Sequence, residues 1–564
     1  MLEKINSKKN FQFSIFNFYS IFKFIILNFK FPIFIVVFLL LFYSRFVNIG
    51  WGLPYPMHPD ERNIATALQG LKCGFSIFNF QFSNLKECFN PHFFAYGQFP
   101  LYAGYLVVYF LKFFDGDMGF PIGFQEAIIS LRIISAVASV INAFVLIKII
   151  DLVSNKKSNK LLIILLITFS PFFIQFSHFG TTESLLMLFY SLIVYLSMRL
   201  LKRRTTYEVV RLALISGLAV ATKVSSAIFL AVPVIVLISH LRQDFGGQAK
   251  LSSKLKVLSF ILGFALCTLI FTLIFSPHNL INFTDFVSTI RYESDVAFGR
   301  ILVFYTRQFI NTVPVWFQLT KVFPYVLSWP IFILGVLGFL GLSWKNKYYN
   351  FLRFAIFAYF IPNSFLFAKW TRFMSPVFPL MLVLAILFLL KIRTKVIKII
   401  IIILAILPCL AYLSIYQNPD VRFQASGWIY KNIPNNSYIL SETANVVDIP
   451  ISNGTIKQLN NYNVISFNFY DLDESIQLQQ ELREHLEKAD YIFVPSRRLF
   501  ANHPKDKYPL LNDYYAKLFS GELGFEEVAE FSSGLNDEAA EETWTVFDHP
   551  VIRIYKRISK NPKF

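Results

Sequence analysis

Charged side chains are scarce in this sequence. Asp, Glu, Lys and Arg make up 16% of its 564 residues, whereas soluble domains carry roughly 25%. That shortage excludes an ordinary soluble domain as the bulk of the chain. Cysteines number four and form no CxxC pair, so the usual zinc motifs are missing. Cys267 and Cys409 fall in apolar runs, where thiols pack. Cys73 and Cys88 share one loop, and a disulfide between them fits an extracytoplasmic position. Neither an internal repeat nor a small-residue cleavage site after the first apolar run is evident. What is abundant is apolar: 55% hydrophobic residues, including 66 Phe. These residues gather in many runs of roughly 17–25, each long enough to cross a bilayer. The fold class expected is an α-helical polytopic membrane protein.

The net charge of +18 does not call for nucleic acid, because it is unevenly placed. Residues 417–564 hold 15 Lys and Arg against 21 Asp and Glu, and the rest of the chain holds 38 against 14. Positive residues concentrate in cytoplasmic loops, so this split places the acidic tail outside. Residues 1–30, basic and rich in Phe, Ile and Asn, form a cytoplasmic segment. Lys156, Lys157 and Lys160 mark one inner loop, and Lys202, Arg203 and Arg204 the next. Further inner loops carry Arg242, Lys250, Lys254 and Lys256, then Lys345 and Lys347, then Arg393, Lys395 and Lys398. Eleven spans satisfy these constraints: 31–49, 127–150, 161–177, 184–201, 209–222, 225–241, 257–276, 322–342, 351–368, 373–391 and 399–416. The apolar stretch 99–114 then cannot cross, and is expected as an outer juxtamembrane or re-entrant helix. The expected domains are the segment 1–30, a membrane domain 31–416 with an outer loop 50–126, and an extracytoplasmic α/β domain 417–564. In the last, helices are expected at Val421–Asn432, Glu474–Ala489 and Tyr508–Ser520. Strands are expected at Tyr438–Ser441, Tyr491–Pro495, Glu526–Phe531, Thr543–Phe547 and Val551–Tyr555.

Under this topology the unusual polar residues share the outer face. His58, Asp60, Glu61 and Arg62 follow the first span in His58-Pro-Asp-Glu-Arg62. His178 and Glu183 lie in Ser177-His-Phe-Gly-Thr-Thr-Glu183. Lys223 sits between two apolar halves, and Lys369 and Arg372 lie in Lys369-Trp-Thr-Arg372. Carboxylates can take a proton from a hydroxyl, and Lys or Arg at the bilayer edge can hold a phosphate. The combination suits attack of an acceptor hydroxyl on a sugar carried by a lipid phosphate. Each residue has a plainer reading. Asp60 could cap a helix, Glu183 could cap a span, and Lys223 could snorkel. His58 could be a structural hydrogen-bonder, and Arg372 a helix-end anchor. Arg62 and Arg132 could pair with Asp60 or Glu61. Glu293 and Asp295 read as members of a solvated loop. An acid entering a bilayer is costly enough to favour function at Glu183.

These residues resemble the GT-C superfamily of membrane glycosyltransferases. The bacterial branch of the protein O-mannosyltransferase family (family 39) and its aminoarabinose-transferase relatives are most similar. The resemblance rests on Asp60-Glu61 and is carried further by Asn90-Pro-His-Phe-Phe-Ala-Tyr-Gly-Gln-Phe-Pro100 and by the Ser170-Pro…Glu183 segment. It continues through Gly217…Thr222-Lys223, Arg372…Pro376…Pro379 and the tail segment Asp420-Val-Arg…Trp428. It implies Asp60 as catalytic base with Glu61 as acidic neighbour, Glu183 where Asp is commoner, and Lys223 and Arg372 on the carrier phosphate. His58, Arg62, Arg132, His178 and Lys369 complete the candidate substrate or phosphate-binding set. The implied partners are a polyprenyl-phosphate sugar donor, a glycan, lipid or protein acceptor, and the lipid bilayer, with no nucleic acid. The tail does not resemble the β-trefoil domains of eukaryotic protein mannosyltransferases, which gives a protein acceptor no support. No metal-ligand cluster is evident and no cofactor is called for, although a single divalent cation at Asp60 and Glu183 stays open. A multi-pass protein of a bacterial-type plasma membrane is expected.

Three other classes compete. A transporter or flippase for lipid-linked sugars predicts charges inside the spans and repeat symmetry, and neither is found. A polymerase or ligase for lipid-linked glycans would share outer Arg and His but leaves Asp60-Glu61 unexplained. A membrane scaffold leaves Asp60, Glu183 and Lys223 without purpose.

Overall fold

The computed structural model describes residues 31–55, 57–71, 87–116, 121–154, 160–202, 205–243, 251–443, 448–451 and 462–558. Residues 1–30, Cys73 and hence the proposed Cys73–Cys88 pair, Lys156, Lys157, Arg203, Arg204 and Lys250 lie outside that set.

Apolar runs become helices because a bilayer leaves backbone groups no other partners. In chain order these are α1 (Phe31–Phe46), the short α2 (Pro59–Gln69), α3 (Phe99–Asp115), α4 (Phe124–Val153), α5 (Lys160–Thr168), α6 (Pro171–His178), α7 (Glu183–Leu200) and α8 (Thr206–Thr222). A 3₁₀ turn, Val224–Leu230, leads into α9 (Ala231–Gln243) and then α10 (Leu251–Phe275). Helices α11 (His278–Ile281) and α12 (Phe283–Ala297) follow, then α13 (Phe323–Leu327), α14 (Trp329–Gly341), α15 (Lys347–Ser364), α16 (Phe378–Lys391) and α17 (Lys395–Gln417). Each expected span falls on a helix, but not each is a straight crossing. Among the described residues five helices are long and apolar enough to cross a membrane, or seven if each bent pair counts as one span, against the eleven expected.

The bends have local causes. α5 and α6 meet at 53°, where Pro171 opens α6 and cannot donate to a carbonyl one turn back. The expected span 322–342 is corrected more strongly. A π-helical turn, Gln318–Val322, runs into α13, and α14 leaves at 116° after Ser328, whose φ is +65°. The stretch 99–114 forms α3, packed on α2 and α4 through Leu68, Leu101, Tyr105, Val108, Ile128 and Leu131. Glu293 and Asp295 do not lie in a solvated loop as expected. Both belong to α12, which begins eight residues past the end of α10 and exposes Phe283, Val287 and Tyr292. A helix with apolar residues so displayed suits a membrane–water interface.

The tail is a small α/β unit: α18 (Val421–Asn432), β1 (Tyr438–Glu442), β2 (Asn463–Phe467), α19 (Ile476–Lys488), β3 (Tyr491–Val494), α20 (Pro509–Ser520), β4 (Phe525–Phe531), α21 (Glu542–Thr545) and β5 (Ile552–Arg557). The sheet order is β2-β1-β3-β5-β4, with β1 parallel to β2 and β3, and β5 antiparallel to β3 and β4. Strand side chains alternate between faces, and the cores divide accordingly. Ile439, Tyr491, Phe493, Ile552 and Ile554 pack on Val421, Ala425 and Ile429 of α18. Leu440, Ile492, Val494 and Tyr555 pack on α19 and α20. The expected elements recur within a few residues, except that β2 was not foreseen and Thr543–Phe547 is not a strand. There the Glu541 side chain accepts the Thr543 N–H and starts α21, and Trp544 joins the core of the membrane helices rather than a sheet.

Candidate active site

The loop after α1 is fastened before it reaches its acids. Trp51 Nε1 donates to Ile415 O (3.1 Å) and Asn48 Nδ2 to Tyr416 O (3.3 Å), both at the C-terminal end of α17. His58 then caps α2: its Nδ1 accepts the Asp60 N–H at 3.2 Å. Pro59 follows at the first helical position, and Asp60 and Glu61 sit in the first turn, where the helix dipole favours negative charge. The cap is therefore His58 and not Asp60, which frees the Asp60 carboxylate. Burial first, and then the Arg372 charge, hold the His58 pKa well below the usual histidine range. His58 is thus neutral, with its proton on Nε2.

Asp60 and Glu61 have separate partners. Glu61 is buried and receives Arg132 in a two-pronged bond, Nε to Oε1 at 2.7 Å and Nη2 to Oε2 at 2.8 Å. Gly180 N donates to the same Oε1 at 2.6 Å, and Arg132 Nη1 donates to Ile49 O and Trp51 O. A side chain at 180 would place its Cβ 2.7 Å from Leu131 Cβ and 3.0 Å from Glu61 Oε1. Glycine lets the loop between α6 and α7 close on Glu61. Asp60 instead pairs with Arg372, from the 3₁₀ turn Thr371–Val377 that precedes α16. No ion pair joins Arg62 to either acid among the described residues; Arg132 and Arg372 take those places.

Lys223 and Glu183 approach the same turn. Lys223 Nζ lies 5.5 Å from the Phe373 ring centre, while the Arg372 guanidinium lies 5.9 Å from that ring. Tyr96 supplies a second face to Lys223 at 5.0 Å. Glu183, buried at the start of α7, lies within electrostatic reach of Lys223 and Tyr96. Glu293 of α12 also acts on Lys223. The turn holding Lys223 is set by Gly97, whose N–H donates to Thr222 O at 3.0 Å. Gln98, fully buried, donates from Nε2 to Asn279 Oδ1 and accepts at Oε1 from Ser276 Oγ and His278 N.

Two candidates fall outside this cluster. Both ring nitrogens of His178 face backbone carbonyls, Ile174 O at 2.7 Å and Val47 O at 2.9 Å, and the ring stacks on Tyr416 at 3.8 Å. Lys369 turns back to Phe367 O at 3.0 Å. His178 thus links α6 to the loop after α1 and to α17, whereas Lys369 stays within its own loop.

Sequence reasoning missed what the tail brings. Thr371 N donates to Glu541 Oε2 at 2.9 Å, and Gln308 Nε2 donates to Glu541 Oε1 at 3.0 Å. Arg498 Nη1 lies 3.4 Å from Glu542 Oε1. The Arg498 guanidinium stands 5.9 Å from the Phe547 ring, and the other neighbour of that ring is His58, at 4.4 Å between centroids. Asp60, Arg372, Glu541, Glu542, Arg498, Phe547 and His58 thus form a closed circuit shared by four segments, two of them in the tail. Arg422 holds it from behind, donating to Phe547 O and Met57 Sδ, each at 2.7 Å, while Asp420 braces it at 3.1 Å. One signal was present in the sequence. Arg497-Arg498 follow β3 after two intervening residues, and in open α/β sheets ligand groups gather at the carboxyl ends of parallel strands.

No group of three or more His, Cys, Asp or Glu that could hold a metal occurs among the described residues. At the pair left open for a divalent ion, Asp60 carries a guanidinium.

The fold and the site define a multi-pass membrane protein with a charged centre where helix ends, loops and an α/β domain meet. Residues 118–275 match the family model described as dolichyl-phosphate-mannose-protein mannosyltransferase, a stretch that holds Arg132, Glu183 and Lys223. The chain is therefore similar to membrane glycosyltransferases of that kind. Among solved structures, the Archaeoglobus fulgidus oligosaccharyltransferase in complex with Zn and sulfate is 13% identical, with a TM-score of 0.45 over 86% of this chain and 71% of that one. ArnT from Cupriavidus metallidurans in the apo state is 11% identical, with a TM-score of 0.45 over 95% of this chain and 98% of that one. The same ArnT bound to undecaprenyl phosphate gives 12% identity and a TM-score of 0.40 over 93% and 97%. No curated protein matches the sequence.

Proposed function

We propose that this protein transfers a sugar from a polyprenyl-phosphate donor to a hydroxyl of an extracytoplasmic acceptor, with inversion at the anomeric carbon. The observation that carries the reading is the convergence of Asp60, Glu183, Lys223 and Arg372 from four separate segments. The matched family model supports it. Asp60 is the base and takes the acceptor proton as the acceptor oxygen bonds to the anomeric carbon. The bond from that carbon to the phosphate oxygen breaks, and its electron pair leaves with the phosphate. Arg372 exchanges Asp60 for the phosphate as the donor enters, and Lys223 adds the second cation. Glu183 sets the position of Lys223. Glu61, committed to Arg132 and Gly180 N, holds α2 in place rather than taking a proton. The N-terminus is cytoplasmic, the site and residues 417–564 are extracytoplasmic, and the membrane is a bacterial-type plasma membrane.

The test uses purified protein in nanodiscs, radiolabelled polyprenyl-phosphate sugars and crude envelope acceptors. Asp60→Asn is expected to lower transfer by roughly 10²–10⁴-fold, the usual worth of a positioned base, with donor binding retained. Wild-type rates in that variant would overturn the assignment of Asp60.

A further inference from the structure

The tail does more than cover the site. Arg498 is 6% exposed, its Nε has no hydrogen-bond partner, and Nη1 faces Glu542 Oε1 without the geometry of a hydrogen bond. Arg372 Nε is likewise without a partner. A buried guanidinium N–H left unmatched is destabilising, and two in one circuit point to a missing acceptor. The two charges are close enough to act on each other and on His58. Three carboxylates share the circuit, and none accepts a hydrogen bond from the Nε of Arg372 or Arg498; the Tyr470 hydroxyl also acts on Arg498. Glu541 is taken by Thr371 N, Gln308 Nε2 and the Thr543 hydroxyl. Glu542 has Gln308 at 3.4 Å and the loose approach of Arg498. Asp60 takes another edge of Arg372.

We infer that Arg498, supplied by the tail domain, forms with Arg372 a two-guanidinium subsite for a phosphate group. Guanidinium forks match phosphate oxygens in geometry as well as charge. The inference rests on the reading above that a phosphate-bearing donor enters here, and it deepens that reading by adding a residue outside the matched stretch 118–275. It also gives the tail a direct part in substrate binding. The phosphate could be that of a polyprenyl carrier or one free in water, and the two sources are separable.

The experiment measures ligand-induced thermal stabilisation of the full chain in nanodiscs with undecaprenyl phosphate and, separately, with inorganic phosphate. Wild type, Arg498→Gln, Arg498→Lys and the double variant Arg498→Gln/Glu542→Gln are compared. The double variant removes both members of the buried pair and guards against loss of fold in the single one. Undecaprenyl phosphate is expected to stabilise wild type, with its apparent Kd raised at least tenfold in Arg498→Gln and in the double variant and partly restored in Arg498→Lys. Unchanged affinity in a folded Arg498→Gln or double variant would overturn the subsite while leaving the proposed function standing. Stabilisation by inorganic phosphate alone, lost in Arg498→Gln, would keep the subsite and overturn the lipid donor. No stabilisation of wild type by either probe would overturn both.

Discussion

Glu61 invites a perturbation that separates holding from chemistry. Its carboxylate and Arg132 are 1% and 2% exposed as side chains and meet through bonds of 2.7 and 2.8 Å, with Gly180 N on the same oxygen at 2.6 Å. Glu61→Gln keeps the shape. Its amide oxygen can still accept from Gly180 N and Arg132 Nε, but its NH₂ then faces the Nη2 donor of Arg132. The variant loses one charge-assisted bond and leaves a buried cation without its counter-ion. Breaking one side of a buried pair costs about 3–5 kcal/mol. Arg132→Gln should cost a similar amount, because it also abandons Ile49 O and Trp51 O. The double variant Glu61→Gln/Arg132→Gln strands no charge, so it should be less destabilised than the two singles summed, by about 2–3 kcal/mol. Burial makes the effect nearly independent of salt. Unfolding in dodecyl maltoside across the four proteins measures the coupling, and sugar transfer is assayed on the same samples. A Glu61→Gln protein as stable as wild type but inactive would refute the reasoning, because Glu61 would then belong to the chemistry. Strict additivity would refute it too, because the pair would not act as a unit.

Three further outcomes follow from the geometry. Asp548 accepts from Tyr416 (2.6 Å), Tyr412 (2.9 Å) and Gln175 (3.2 Å), so Asp548→Asn should cost about 3 kcal/mol of tail docking; limited proteolysis should then release the tail, and wild-type resistance would contradict this. Glu442 lies buried against the Tyr515 hydroxyl, and burial, with Asp448 nearby, raises its pKa to about 8. Its folded pKa exceeds the unfolded one, so tail stability should fall as pH rises from about 4.5 to about 8, by roughly 3–5 kcal/mol at 1.36 kcal/mol per unit. Glu442→Gln should flatten that dependence and exceed wild type at pH 8 in denaturant titrations; an unchanged slope would count against it. A Cβ at Gly97 would meet Ala221 O at 1.9 Å, whereas one at Gly263 meets nothing within 4 Å. Gly97→Ala should therefore cost about 1–3 kcal/mol and slow transfer by displacing Lys223, with Gly263→Ala as the neutral control; equal activity of the two would refute the role of that close approach.

Much of the fold was legible because bilayer helices and alternating strands leave strong periodic signals. Val421–Asn432 is one case: its buried residues Val421, Ala425 and Ile429 recur at helical spacing. The acids and cations of the outer face were legible for a different reason. In a chain so poor in charge, Asp60, Glu183, Lys223 and Arg372 stand out against the apolar background. Bends were not legible, because hydropathy measures length and not direction; the 116° turn at Ser328 depends on a backbone conformation that Ser rarely adopts. Pairing was legible only in part. That Arg132 meets Glu61 was among the open choices, but that Arg372 takes Asp60 needed the two turns to be placed in space.

The tail was misjudged for a physical reason that bears on the mechanism. The expected strand Thr543–Phe547 lies in a stretch, residues 537–549, that holds Asp537, Glu538, Glu541, Glu542 and Asp548 within thirteen positions. In the fold Glu538 pairs with Arg553, Asp537 and Asp548 share His549, and Glu541 accepts from Thr371 N and Gln308 Nε2. Both aspartates offset the burial that would otherwise lower the His549 pKa and raise it to about 10. Matched in this way, an acidic segment can carry Trp544 and Phe547 into the core of the membrane helices. Phe547 then stands between His58 and Arg498, and Glu541 caps the Thr371 turn from which Arg372 reaches Asp60. A domain fixed by such contacts cannot be an optional cover. Removing residues 417–564 should disorder the Arg372 turn and abolish transfer even though Asp60, Glu183 and Lys223 all remain.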